Sequence, residues 1–215
     1  MADHCLLYYI TDRSQFPGDE SARRHALLAK VAEAARAGVD YVQLRERDLS
    51  TRELETLARQ VVAAVRENSP STRLLINSRT DVALAAGADG VHLRADDVAP
   101  HEVRLVLDVS AHRPQATDHF LVAVSCHTAA DVFLAESEAT DFAVFGPVFE
   151  KKDMQATGIA ALREVCQAKI PVLALGGVNI ENAASCLNAG AAGIAAIRLF
   201  QENKIEDVVR TLRAL

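Results

Sequence analysis

No stretch of this 215-residue sequence approaches the roughly 20 apolar residues that a membrane-spanning helix needs, so no membrane partner is expected. The N-terminal stretch MADHCLLYYITDR carries charge too early, and an apolar run too short, for a signal peptide. A cytoplasmic location is therefore expected. Basic charge is scarce too: 23 Lys and Arg stand against 29 Asp and Glu, a formal net charge of -6. That balance leaves no basic stripe for a nucleic acid and makes the arginines near loops candidates for a small anionic ligand. The four cysteines, Cys5, Cys126, Cys166 and Cys186, are dispersed without a CxxC pair, as suits small apolar residues in a reducing compartment. No Ser/Gly-rich linker, low-complexity tract or charge block divides the chain, so residues 1–215 are expected to form a single domain. Half of the residues are hydrophobic, enough at this length to bury one large core.

What the chain does have is a repeat. The segments ARAGVDYVQLRER from Ala35, ALAAGADGVHLRADD from Ala83, ESEATDFAVFGPV from Glu136 and CLNAGAAGIAAIR from Cys186 share one order. A helix tail meets a Gly or Thr that stops it, four or five apolar residues follow, and polar side chains come next. The interval of roughly fifty residues is about twice one strand-helix unit, which predicts eight such units in a (β/α)8 TIM-type barrel. The expected strands are Leu6 to Thr11, Tyr41 to Leu44, RLLIN around Leu75, GVHL around Val91, Phe120 to Ser125, Phe142 to Gly146, Pro171 to Gly177 and Gly193 to Ile197. Strands so uniformly apolar are covered on both faces, as parallel barrel strands are. Between the second and third, Ser50 and Glu53 have the spacing of a capping box and open a helix.

In such a barrel the chemistry sits on the rim where strands end and loops begin. At the end of the second strand stand Gln43, Arg45 and Arg47, two apart, a spacing that puts all three on one side of an extended segment. Paired guanidiniums bind phosphate oxygens and stay charged, which suits a diphosphate. The alternative is that both arginines pair with Glu46, Asp48 or other acids to tie loops down. Asn77, Ser78 and Arg79 add polar donors after the third strand. Asp96 and Asp97 follow the fourth, where a carboxylate beside a diphosphate calls for a bridging cation such as Mg2+. For Asp96, an N-cap of the following helix is the favoured reading. Across the rim, Gly176 and Gly177 precede an expected helix N-terminus and suit either a phosphate or an ordinary turn. Ser125 and His127 end the fifth strand between these two anion sites. His92 suits either a pocket wall or a hydrogen-bonded core position.

The segments QLRER, INSRTDVALAAGADGVHL, AVSCHT, FGPVF and LALGGVNIENAASCLNAGAAGIAAI together resemble the thiamin phosphate synthase and TenI family from about Tyr8 to Phe200. The resemblance implies a TIM-type barrel and small phosphorylated substrates. It implies a synthase that joins hydroxymethylpyrimidine diphosphate to a thiazole phosphate with release of pyrophosphate. Gln43, Arg45, Arg47, Asn77 and Ser125 would hold the diphosphate and pyrimidine, with Arg47 where the family commonly has lysine. Tyr9 and His92 would border the pyrimidine, Asp97 would bind Mg2+, and Gly177 would contact the thiazole phosphate. Departures are specific. The family's NDR motif, whose aspartate is a magnesium ligand, reads Asn77-Ser78-Arg79, leaving Asp96 or Asp81 to compensate. The loop after the sixth strand reads Phe149-Glu150-Lys151-Lys152-Asp153, and Arg198 replaces a serine near the thiazole phosphate, to bind it or to pair with Glu150. Three functions follow: the synthase; a TenI-type thiazole tautomerase with His127 as general acid and base; and a catalytically silent binder of a phosphorylated ligand or a protein. The oligomeric state stays open, a homo-oligomer included.

Overall fold

The computed structural model describes residues 4–109, 119–150 and 155–215. Its strands are β1 (Leu6–Ile10), β2 (Tyr41–Leu44), β3 (Arg73–Asn77), β4 (Gly90–Leu93), β5 (Leu121–Cys126), β6 (Phe142–Phe145), β7 (Val172–Leu175) and β8 (Gly193–Ala196). Each pairs in parallel with the next, and β8 pairs with β1 to close the barrel. Helices α1 (Glu20–Arg36), α2 (Thr51–Asn68), α3 (Thr80–Ala86), α4 (Pro100–Val109), α5 (Ala129–Ser137), α6 (Gly158–Val165) and α7 (Ala183–Asn188) connect successive strands. The short α8 (Arg198–Gln201) and α9 (Ile205–Arg213) follow β8. The expected TIM-type barrel is the observed architecture, with some strand ends moved by one or two residues. The connection expected from Ser110 falls, through residue 118, outside the described residues, as do Lys151, Lys152 and Asp153. Among the described residues, no helix is long and apolar enough to cross a membrane.

Alternate side chains of a barrel strand point inward and outward. Tyr8, Ile10, Leu75, Ala123, Phe142, Val144, Leu173 and Ala195 form the interior cluster. Leu7, Tyr9, Val42, Leu44, Leu74, Ile76 and Val91 belong to the outer layer, packed with helix residues such as Leu27, Leu57 and Val61. The Ser50–Glu53 capping box is formed, and it starts α2 so that Leu54, Leu57, Ala58, Val61, Val62 and Val65 are buried. Tyr9 requires a correction. It faces the helices, where its hydroxyl donates to Gln201 Oε1 (3.1 Å) and its ring lies beside Phe200. The interior position belongs to Tyr8, whose ring meets Tyr41 and Phe142 edge-on.

In three copies of the repeat a glycine enters the left-handed region after the helix: Gly38 at φ 82°, Gly87 at 72° and Gly190 at 103°. In the third copy Ala139, not the expected Thr140, does so at φ 57°. A side chain there costs on the order of 1 kcal/mol.

Where β1 and β2 end, Arg13 is 4% exposed and gathers three carboxylates. It donates to Glu46 Oε2 (3.0 Å), to both oxygens of Asp48 (2.7 and 2.8 Å) and to Glu20 Oε1 (2.9 Å). Thr11 Oγ1 donates to Glu46 Oε1 (2.6 Å) and accepts from the Arg45 amide (3.0 Å), fixing the start of the loop after β2. Burial pushes the Glu46 carboxyl up from its ordinary value against the pull of Thr11 and Arg13. Removing Arg13 therefore leaves a buried carboxylate short of its cation.

Two stability outcomes are expected in urea unfolding. Arg13→Ala destabilises by about 3 kcal/mol, and adding Glu46→Gln recovers part of that loss. Ala139→Gly stabilises by roughly 0.5–1 kcal/mol, because glycine relieves the left-handed strain but loses more chain entropy. An unchanged midpoint in either case contradicts the assignment.

Candidate active site

A cavity of about 710 Å3 opens at the C-terminal ends of the strands, and every strand or the loop behind it contributes to the wall. That volume suits one or two small molecules. The cavity brings together Gln43, Arg45, Arg47, Asn77, His92, Ser125, His127, Gly176, Gly177 and Arg198.

The floor is a hydrogen-bonded chain through the barrel interior. Gln43 Nε2 donates to the Tyr8 hydroxyl (3.0 Å), which lies 3.1 Å from His92 Nδ1, and His92 Nε2 lies 2.8 Å from Ser125 Oγ. Since Gln43 Nε2 can only donate, the tyrosine proton goes to His92 Nδ1, so Nε2 carries the ring proton and donates to Ser125. The Ser125 proton is then free for a ligand. Burial, and secondarily the nearby Arg45 charge, push the His92 pKa down to about 3, which keeps the ring neutral and this polarity intact. His92 thus fills both roles left open by the sequence, core histidine and pocket wall.

Arg45 and Arg47 line the cavity beside this floor, and no ion pair engages either among the described residues. The acids expected as their partners, Glu46 and Asp48, are held by Arg13 instead. Burial, and then repulsion from Arg47, lower the Arg45 pKa. A guanidinium so placed stays charged and gains from an arriving anion. Asn77 Nδ2 is committed to Ser78 Oγ (3.0 Å).

On the other side, Gly176 and Gly177 take φ of 94° and 67°. A Cβ on Gly176 would stand 2.5 Å from the Pro147 Cα, so only glycine fits this close approach. The expected helix does not follow directly. Asn179 and Asn182 exchange amide-to-side-chain hydrogen bonds (2.8 and 3.0 Å), and α7 begins only at Ala183. Arg198 lines the same end at the start of α8, without an ion pair to Glu150. His127 Nδ1 donates to the Gly146 carbonyl (2.6 Å), so in the neutral ring Nε2 is the acceptor.

The residues do not fit the implied magnesium site. Asp97, expected as the ligand, accepts the Arg94 amide (2.7 Å) and Arg94 Nε (3.3 Å), closing a turn. Asp96 lies ahead of α4 rather than capping it, and it accepts from Arg94 Nη2 (3.2 Å). Asp81 is tied to Arg79 and is absent from the cavity wall. Ser78 sits at φ 62°. Among the described residues, no group of three or more His, Cys, Asp or Glu is placed to hold a metal. The sequence reading missed Tyr8 and Arg94. Arg94 follows His92 by two residues, the same spacing that singled out Arg45 and Arg47.

The model of the family described as thiamine monophosphate synthase matches residues 7–200. The "Putative thiamine-phosphate synthase 2" of Aquifex aeolicus is 38% identical, over 91% of this chain and 97% of its own length. The thiamine-phosphate synthase of Clostridium novyi is 36% identical, over 96% of each chain. The solved structure of a thiamine phosphate pyrophosphorylase from Pyrococcus furiosus superposes with a TM-score of 0.78 at 28% identity, covering 97% of this chain and 94% of that one. With the family match running through all eight strands and the rim that carries the cavity, the chain belongs to the thiamine monophosphate synthase family.

Proposed function

We propose that this chain is a thiamin phosphate synthase-like transferase. It couples hydroxymethylpyrimidine diphosphate to a thiazole phosphate and releases pyrophosphate. One observation carries the reading: two guanidiniums with no acidic partner among the described residues share a cavity with a tight glycine turn and Arg198. The pyrimidine methylene loses diphosphate, and the thiazole nitrogen captures the resulting cation. Such a reaction needs little proton transfer and strong stabilisation of the departing anion. Arg45 and Arg47 supply that charge, and Ser125 donates its free proton to the same substrate. Arg198 and the Gly177 turn hold the thiazole phosphate at the opposite end, so the thiazole nitrogen meets the methylene between the two anion sites.

A thiazole tautomerase is the second reading, favoured by His127. Its open Nε2 can accept a proton from a thiazole carboxylate phosphate and return it.

With purified enzyme and both substrates, pyrophosphate release is expected, and Arg45→Ala should lower kcat by about 10²–10³-fold. No release from the unmodified enzyme would remove the synthase reading. Under the second reading, thiazole isomerisation persists in chelator and drops by about 10²–10⁴-fold in His127→Ala. Isomerisation that is absent, or indifferent to that change, removes it.

A further inference from the structure

We infer that this chain holds a diphosphate through guanidinium charge alone, with Arg94 standing where a bridging divalent cation would otherwise be required. The inference rests on the synthase reading and concerns its diphosphate end.

A magnesium ion shared between protein and diphosphate needs at least one carboxylate oxygen at about 2 Å, turned to the ligand and free of other cations. Of the two aspartates after β4, Asp96 lines the cavity and Asp97 does not, and Arg94 engages both. The Arg94 amide also donates to Asp97 Oδ2, while the Asp97 amide donates back to the Arg94 carbonyl (3.2 Å), so the turn is closed from both sides. Asp97 is thereby a staple for the loop after β4. A metal arriving there must displace a guanidinium and sit beside it, against like-charge repulsion. Position 78 offers only a hydroxyl, which is already accepting from Asn77.

The same arginine lines the cavity with Arg45 and Arg47. Its side chain is 48% exposed, and its contacts to Asp96 and Asp97 leave Nη1 without a partner among the described residues. Three guanidiniums from two strand ends therefore offer a diphosphate several charge-assisted donors. Asp96 and Asp97 hold Arg94 in place and engage neither Arg45 nor Arg47.

The test is calorimetric titration of inorganic pyrophosphate into the protein, in EDTA and in excess Mg2+. The unmodified chain should bind in EDTA, and Mg2+ should change its Kd by less than about fivefold. Arg94→Ala, which keeps the residue-94 amide that closes the turn, should weaken binding in EDTA at least about tenfold. Mg2+ should then restore much of it, because Asp97 is released. Arg94→Lys should keep most of the binding in EDTA, which separates loss of charge from loss of the loop. Binding by the unmodified chain that depends on Mg2+ by more than about fivefold overturns the inference and leaves the synthase reading standing. So does Arg94→Ala binding in EDTA as tightly as the unmodified chain. No pyrophosphate binding under either condition overturns both.

Discussion

The site depends on where the charge of Glu46 goes. Gln43, Arg45 and Arg47 share one side of the extended segment leaving β2, and Glu46 falls between the two arginines on the other. Had that carboxylate bent inward, it would have offset one of the two guanidinium charges. It is instead drawn outward by Arg13, Thr11 and the Arg13 amide, all from the end of β1. A buried ion pair contributes little to stability on balance. Here its work is separation: it keeps an acid away from two bases that neighbour it in sequence.

The second constraint is the polarity of the barrel floor. Gln43, Tyr8, His92 and Ser125 come from four strands, and each passes its hydrogen bond in one direction. A neutral imidazole is needed for this, and burial supplies it. The result is a serine that gives a proton and has a lone pair already in use, which suits holding an oxygen-rich or nitrogen-bearing ligand better than attacking one.

Much of this was readable from the residues, because the barrel repeats its own grammar. Strand positions, the α2 capping box and the polar positions at Gln43, Arg45, Arg47, Asn77, Ser125 and His127 follow from period and spacing alone. The faces of β1 do not. Tyr8 and Tyr9 are adjacent, and both sides of a barrel strand are apolar, so hydrophobicity cannot say which ring turns inward. That is fixed by register with β2, where Ile10 stands opposite Gln43. The Asp97 turn was hidden for another reason: a carboxylate that can bind a metal can equally bind an arginine three residues back, and sequence does not say which. The helix after Gly177 was displaced by the reciprocal Asn179–Asn182 pair, whose side chains satisfy each other's amides before α7 starts.

The floor also ties ligand to architecture. Tyr8 and Gln43 sit on neighbouring strands, His92 and Ser125 on another neighbouring pair, and the contact between Tyr8 and His92 spans the lumen between them. A molecule leaning on Ser125 is thus felt on the opposite wall. The same four side chains that present a proton to the guest also tie β1 and β2 to β4 and β5 from within the barrel.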